Sequence, residues 1–151
     1  MKLLNRVAAG LAAISLAAGT PALASGAGAS DMGAAEKIRR LDIMLMVTGL
    51  RCRTGADNFQ ADYRKFTTNH IATLNRSARS LSAEMGQRAL DRLSVTMAND
   101  YGQGHPWLSC KELKMVARNL AEVRGDAPLI EAADQLLGSG GTTRFAFARR
   151  R

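Results

Sequence analysis

The side chains of this sequence that could do chemistry are few and fall in two stretches. Cys52 and Cys110 are its two cysteines, and Arg51 and Arg53 flank the first of them. His105 and Trp107 lie just before the second, and His70 lies between. A free cysteine could serve as a nucleophile, but no partner histidine can be picked out for either thiol. The even count favours one disulfide. In the chain-entropy model, closing a loop of about 59 residues stabilises a fold by roughly 4 kcal/mol. Such a bridge would draw the Arg51–Arg53 stretch and the His105–Trp107 stretch together. The neighbourhood would then suit a small anionic ligand, held by guanidinium hydrogen bonds beside an imidazole and an indole.

Each candidate has a plainer explanation. His70 sits between Phe66 and Leu74 on an apolar helical stripe, where a buried histidine bonded to backbone is commoner than a ligand or a base. No histidine or carboxylate lies three or four residues away, so helical metal-ligand spacing is absent and no metal site is expected. Tyr101-Gly102-Gln103-Gly104-His105-Pro106-Trp107 contains two glycines that let backbone approach a ligand closely. It lacks the lysine and spacing of a phosphate loop, and it also reads as a helix connection plugged by Trp107. No catalytic residue is assigned.

Other signals are discounted. C-x-x-C-H is missing, so covalent haem attachment is out, and Met44, Met46 and His70 read as core rather than as axial ligands. No cofactor is expected. Arg124-Gly125-Asp126 reads as a helix stop followed by a cap, and Asn75-Arg76-Ser77 falls in mid-helix. Neither G-x-S-x-G nor S-x-x-K occurs.

The elements that must position these residues begin after a leader. Residues 1–24 read as a cleaved export signal: Lys2 and Arg6 open it, Val7–Ala18 is apolar, Pro21 stops any helix, and Ala22-Leu23-Ala24 offers the small-x-small cleavage pattern. The apolar run is shorter than the roughly 20 residues a bilayer span requires. Export would place the cysteines in an oxidising compartment, expected to be the periplasm. The next segment, 25–35, is rich in Gly, Ala and Ser and reads as a flexible lead.

Residues 36–138 carry apolar side chains at helical spacing, with no sustained alternation of the kind strands show. An all-α fold follows, a compact bundle of about five helices stapled by one disulfide. The first helix, Gly33–Leu50, has the stripe Ile38, Leu41, Leu45 and Thr48, while Ile43, Met44, Met46 and Val47 make its second half apolar nearly all round. Such a helix is central in a bundle. The second, from Asp57 to about Leu81, carries Phe59, Tyr63, Phe66, His70, Leu74, Ala78 and Leu81 on one face. Whether it is separate from a third, beginning near Ser82 and ending at Gly102, is left open. The fourth has a capping box at Ser109 and Glu112, and the fifth starts at Asp126 with Pro128 in its first turn.

The chain, at 151 residues with 46% apolar and 23% charged, is long enough for one domain and too apolar for wholesale disorder. It is too short for a TIM barrel or a two-domain dinucleotide enzyme. The net charge of +8 owes much to the tail, residues 139–151, which read as disordered. There Arg144, Phe145, Phe147, Arg149, Arg150 and Arg151 mix charge with aromatic rings and could touch an anionic envelope surface. Sequence-specific nucleic-acid binding is not expected of a basic chain bound for export.

The runs Leu50-Arg51-Cys52-Arg53, Asn58-Phe59-Gln60-Ala61-Asp62-Tyr63, Asn69-His70 and Gly104-His105-Pro106-Trp107-Leu108-Ser109-Cys110 resemble a family of small, uncharacterised two-cysteine exported proteins of Gram-negative bacteria. The resemblance covers most of the chain after the leader and implies a periplasmic address and the two-cysteine pattern, but no activity. The sequence therefore points to a non-catalytic binding or interaction module, its partner an unknown protein or a small anionic ligand. Two alternatives remain: an anion-binding protein or enzyme using His70 and His105 with Arg51 and Arg53, and envelope association through the arginine-rich tail.

Overall fold

The computed structural model describes residues 27–138, which form six helices and no strand. Residues 1–24, read as an export signal, and residues 139–151, read as a disordered basic tail with Arg144, Phe145, Phe147, Arg149, Arg150 and Arg151, lie outside the described residues. In order the helices are α1 (Ala27–Arg51), α2 (Gln60–Asn69), α3 (Ile71–Met85), α4 (Gln87–Tyr101), α5 (Cys110–Glu122) and α6 (Ala127–Leu137). They pack as an all-α bundle around α1, which touches each of the other five.

α1 is central because the apolar run Ile43–Val47 in its second half leaves no polar face there to present. Ile38, Leu41, Ile43, Met44 and Leu45 are all buried, and so is Thr48, whose hydroxyl donates to the Met44 carbonyl at 2.7 Å. A hydroxyl with an internal partner can be buried at little cost. The helix starts at Ala27, earlier than the expected Gly33, and so takes in most of the segment read as a flexible lead. Alanine is the best helix former, the run contains no proline, and Ala35 packs with Leu81 and Leu90 in a small second cluster.

The expected second helix is two, and the expected break near Ser82 falls at Gly86. α2 begins at Gln60, three residues past Asp57, because Asn58 Oδ1 accepts the Gln60 N–H at 3.0 Å in a side-chain turn. α2 and α3 are separated at His70, where the backbone leaves the helical region (φ −110°, ψ 13°) without any glycine or proline. Its cause is tertiary: Asn69 and His70 both reach across to α5. At Gly86, φ is +81° and ψ 154°, a conformation that costs any other residue strain, so α3 must stop there.

Local signals hold further on. Ser109 Oγ accepts the Glu112 N–H at 3.3 Å while Glu112 Oε2 accepts the Ser109 N–H at 2.8 Å, completing the capping box of α5. Asp126 occupies the N-cap position of α6, yet its carboxylate caps nothing there: it accepts from Thr73 Oγ1 at 2.8 Å and Arg76 Nη2 at 2.6 Å on α3.

Candidate functional site

The Cys52–Cys110 disulfide is formed, with its α-carbons 5.7 Å apart. It ties the residue after α1 to the first residue of α5. Asn58 Nδ2 donates to the Arg53 carbonyl at 2.9 Å, and Lys114 Nζ to the Ala56 carbonyl at 3.0 Å, so the segment after the bridge is held at three points. The loop after α4 is thereby brought against the end of α1.

Close approach in that loop is real, and its occupant is Arg51. Gly104 has φ +110°, and a β-carbon there would lie 3.2 Å from Arg51 Nε. The Arg51 side chain thus lies across the Gly104 backbone, from the last turn of α1, where a cation is also favoured by the helix dipole. Arg51 and Arg53 line an open groove of about 430 Å³ together with Val47, Leu50, Thr54 and Gly102. No carboxylate lines it, and neither arginine forms an ion pair among the described residues.

The histidines lie elsewhere. His105 is buried, its Nε2 3.0 Å from the Leu136 carbonyl in the last turn of α6. A carbonyl can only accept, so Nε2 carries the hydrogen and Nδ1 is left to face the Trp107 N–H at 3.5 Å. Burial pushes the His105 imidazole below its ordinary value, although the Leu136 carbonyl opposes the shift. Trp107 meets this ring edge-on, centroids 4.7 Å apart, and Tyr101 lies on it at 5.6 Å. Trp107 is 40% exposed and therefore closes the loop without being enclosed by it.

His70 repeats the arrangement on α5. It is buried, with Nε2 2.8 Å from the Leu120 carbonyl, and the adjacent Asn69 Nδ2 donates to the Ala121 carbonyl at 2.8 Å. The last carbonyls of a helix have no partner within it, and side chains supply one here. Both imidazoles are thus helix terminators, bonded to different helices, and neither lines the arginine groove.

A second polar cluster was not picked out from the sequence. Asp42, on α1, is buried with Oδ1 accepting from Tyr63 Oη at 2.8 Å and Oδ2 from Arg39 Nη1 at 3.1 Å; Arg39 Nη2 in turn donates to Ser94 Oγ at 3.3 Å. Burial raises Asp42 above the ordinary carboxylate value, against the bonds from Tyr63 and Arg39. Tyr63 is pushed well above an ordinary phenol, first by burial and then by the Asp42 charge. The cluster joins α1, α2 and α4. Asp42, a lone carboxylate between Leu41 and Ile43 with Arg39 three residues before it, was the available clue.

Tyr63 also forms part of a second groove, of about 280 Å³, between α1 and α2. Its other walls are Met46, Gly49, Leu50, Gln60, Arg64 and Thr67. Phe59 packs against Gly49, where a β-carbon would lie 3.3 Å from the ring, and this sets how closely α2 can start beside α1.

No protein-family model matches this chain, and neither a curated protein nor a solved structure does.

Proposed function

We propose that this protein is an exported, non-catalytic binding module that holds a small anionic ligand on Arg51 and Arg53. One observation carries the reading: two guanidinium groups without carboxylate partners among the described residues line one groove beside a disulfide. Guanidinium groups bind carboxylates and phosphates through paired, charge-assisted hydrogen bonds. A fixed groove reduces the ordering that binding must otherwise impose. Engagement of both imidazoles with helix carbonyls supports a binding role over a catalytic one. The leader-like residues 1–24 and the cystine support an oxidising, periplasmic destination.

The test is calorimetric titration of the disulfide-intact protein with acetate, inorganic phosphate and longer carboxylates at low and high salt. Arg51→Ala/Arg53→Ala should weaken anion binding by about tenfold or more, since a hydrogen bond to a charged group contributes about 1.5–3 kcal/mol. Equal affinity in wild type and double variant removes the proposal. Hydrolysis or turnover of a bound anion that depends on His70 or His105 would replace it with an enzyme.

A further inference from the structure

α1 is largely buried over Leu41–Thr48, yet two large apolar side chains in its second half are not. Met46 is 39% exposed and Leu50 is 50% exposed. Four residues apart, they share one face of the helix. Both line the groove between α1 and α2, and Leu50 lines the arginine groove as well. Leu50 is therefore a half-exposed wall common to an apolar trough and a cationic one. From the observations above we infer that the two form a single site for an anionic amphiphile, a free medium-chain straight carboxylate whose head lies on Arg51 and Arg53 and whose chain crosses Leu50 onto Met46 and the Tyr63 ring. This deepens, and rests on, the anion-binding reading given above.

Charge decides which occupant fits. Arg51, Arg53 and Arg64 border the two grooves, none makes an ion pair among the described residues, and no carboxylate lines either groove. A second copy of the chain seated here would bring like charges face to face. An apolar ligand without a charged head would leave three guanidinium groups unused. An anion without a chain would leave Met46 and Leu50 in water, where apolar surface is least favourable. The groove that would take the chain, about 280 Å³, falls just below the roughly 300–1,000 Å³ of drug-sized sites, which suits a slender chain better than a ring system.

The experiment titrates hexanoate, octanoate and decanoate as monomers, with acetate and decanol as controls, into protein labelled at its methionine methyl groups. Met46 should shift on binding while Met115, exposed on α5 and outside both grooves, stays fixed. Affinity should rise by roughly two- to fourfold per added methylene, the range expected for a partly to fully buried CH₂. Met46→Ala/Leu50→Ala alters only half-exposed positions and should keep the wild-type melting temperature while flattening that dependence. Arg51→Ala/Arg53→Ala should weaken every carboxylate by a similar factor. Affinity that ignores chain length but still falls in the arginine variant overturns the amphiphile and leaves the anion-binding reading standing. Binding of neither acetate nor longer carboxylates nor phosphate ends both. Decanol binding as tightly as decanoate removes the role of the arginines. Binding only to phosphatidylglycerol vesicles, with no Met46 shift from monomers, assigns the face to a membrane surface and overturns the proposal.

Discussion

His105 and Leu136, 31 residues apart, are joined by a hydrogen bond from imidazole Nε2 to a carbonyl in the final turn of α6. His70 and Leu120 make the equivalent bond at the end of α5. The histidines that looked most like chemistry in the sequence act as terminators for two helices remote from them in the chain. What they stabilise is the bundle, and through it the groove.

Replacing His70 tests that role directly. His70→Phe keeps an aromatic ring beside Phe66, whose centroid lies 5.1 Å away, but removes the donor to Leu120. Leaving a buried carbonyl unpaired should cost about 1–3 kcal/mol in denaturant unfolding. Anion affinity should not change, because His70 lines neither groove. A variant with wild-type stability would show that the bond is dispensable.

His105 gives stability a pH dependence of known sign. Its imidazole titrates below the ordinary 6.5 in the folded chain, so the unfolded state takes up its proton first as pH falls. The stability it contributes is complete above about pH 6.5 and declines as pH drops from there towards its folded value. Glu112 and Asp126 are held low by partners, Ser109 and Arg76 first among them, and lose their contributions only below the ordinary 4.5 and 3.8. Below pH 6.5 the upward slope of unfolding free energy with pH should therefore be smaller in His105→Gln than in wild type, while the opposing slope from Asp42, raised by burial, is common to both. Parallel curves would count against the assignment.

Both tyrosines resist ionisation, Tyr63 through burial and the Asp42 charge, and Tyr101 through burial and then Asp100. Tyrosinate absorbance at pH 10 should be lower in folded protein than after denaturation. Because the folded values are raised, this contribution is full below pH 10 and is lost at higher pH. Tyr63→Phe removes the donor to a buried carboxylate and should lower stability by about 1–3 kcal/mol. Half-ionised tyrosines at pH 10 in the native state would contradict the burial described.

Loss of the disulfide should show as a lower melting temperature. Cys52→Ser/Cys110→Ser frees a loop of about 59 residues, with a cost of up to about 4 kcal/mol. Thiol titration of unreduced protein should find no free cysteine. An unchanged midpoint would mean that packing and the Lys114–Ala56 bond already hold the segment.

Legibility in the sequence followed the range of the cause. The centrality of α1 was readable because Ile43, Met44 and Leu45 are consecutive and apolar, leaving no polar side. The capping box of α5 was readable because its partners are three residues apart. The division of α2 from α3 was not, since it comes from a bond between His70 and Leu120, 50 residues distant. Likewise the arginines beside Cys52 could be placed by the bridge alone, whereas the inward turn of His105 depends on where α6 ends. The Asp42 cluster needed three helices to exist before it could be seen.

The pairing of Cys52 with Cys110 also limits how assembly can go wrong. With two cysteines in the sequence, scrambling within one molecule is impossible, and the sole incorrect linkage is to a neighbouring chain. Cys52 leaves the ribosome well ahead of its mate, so errors at this step are bimolecular and grow with local abundance. Overproduction should thus yield covalent oligomers that a thiol reductant dissolves, while dilute synthesis gives the single closed form.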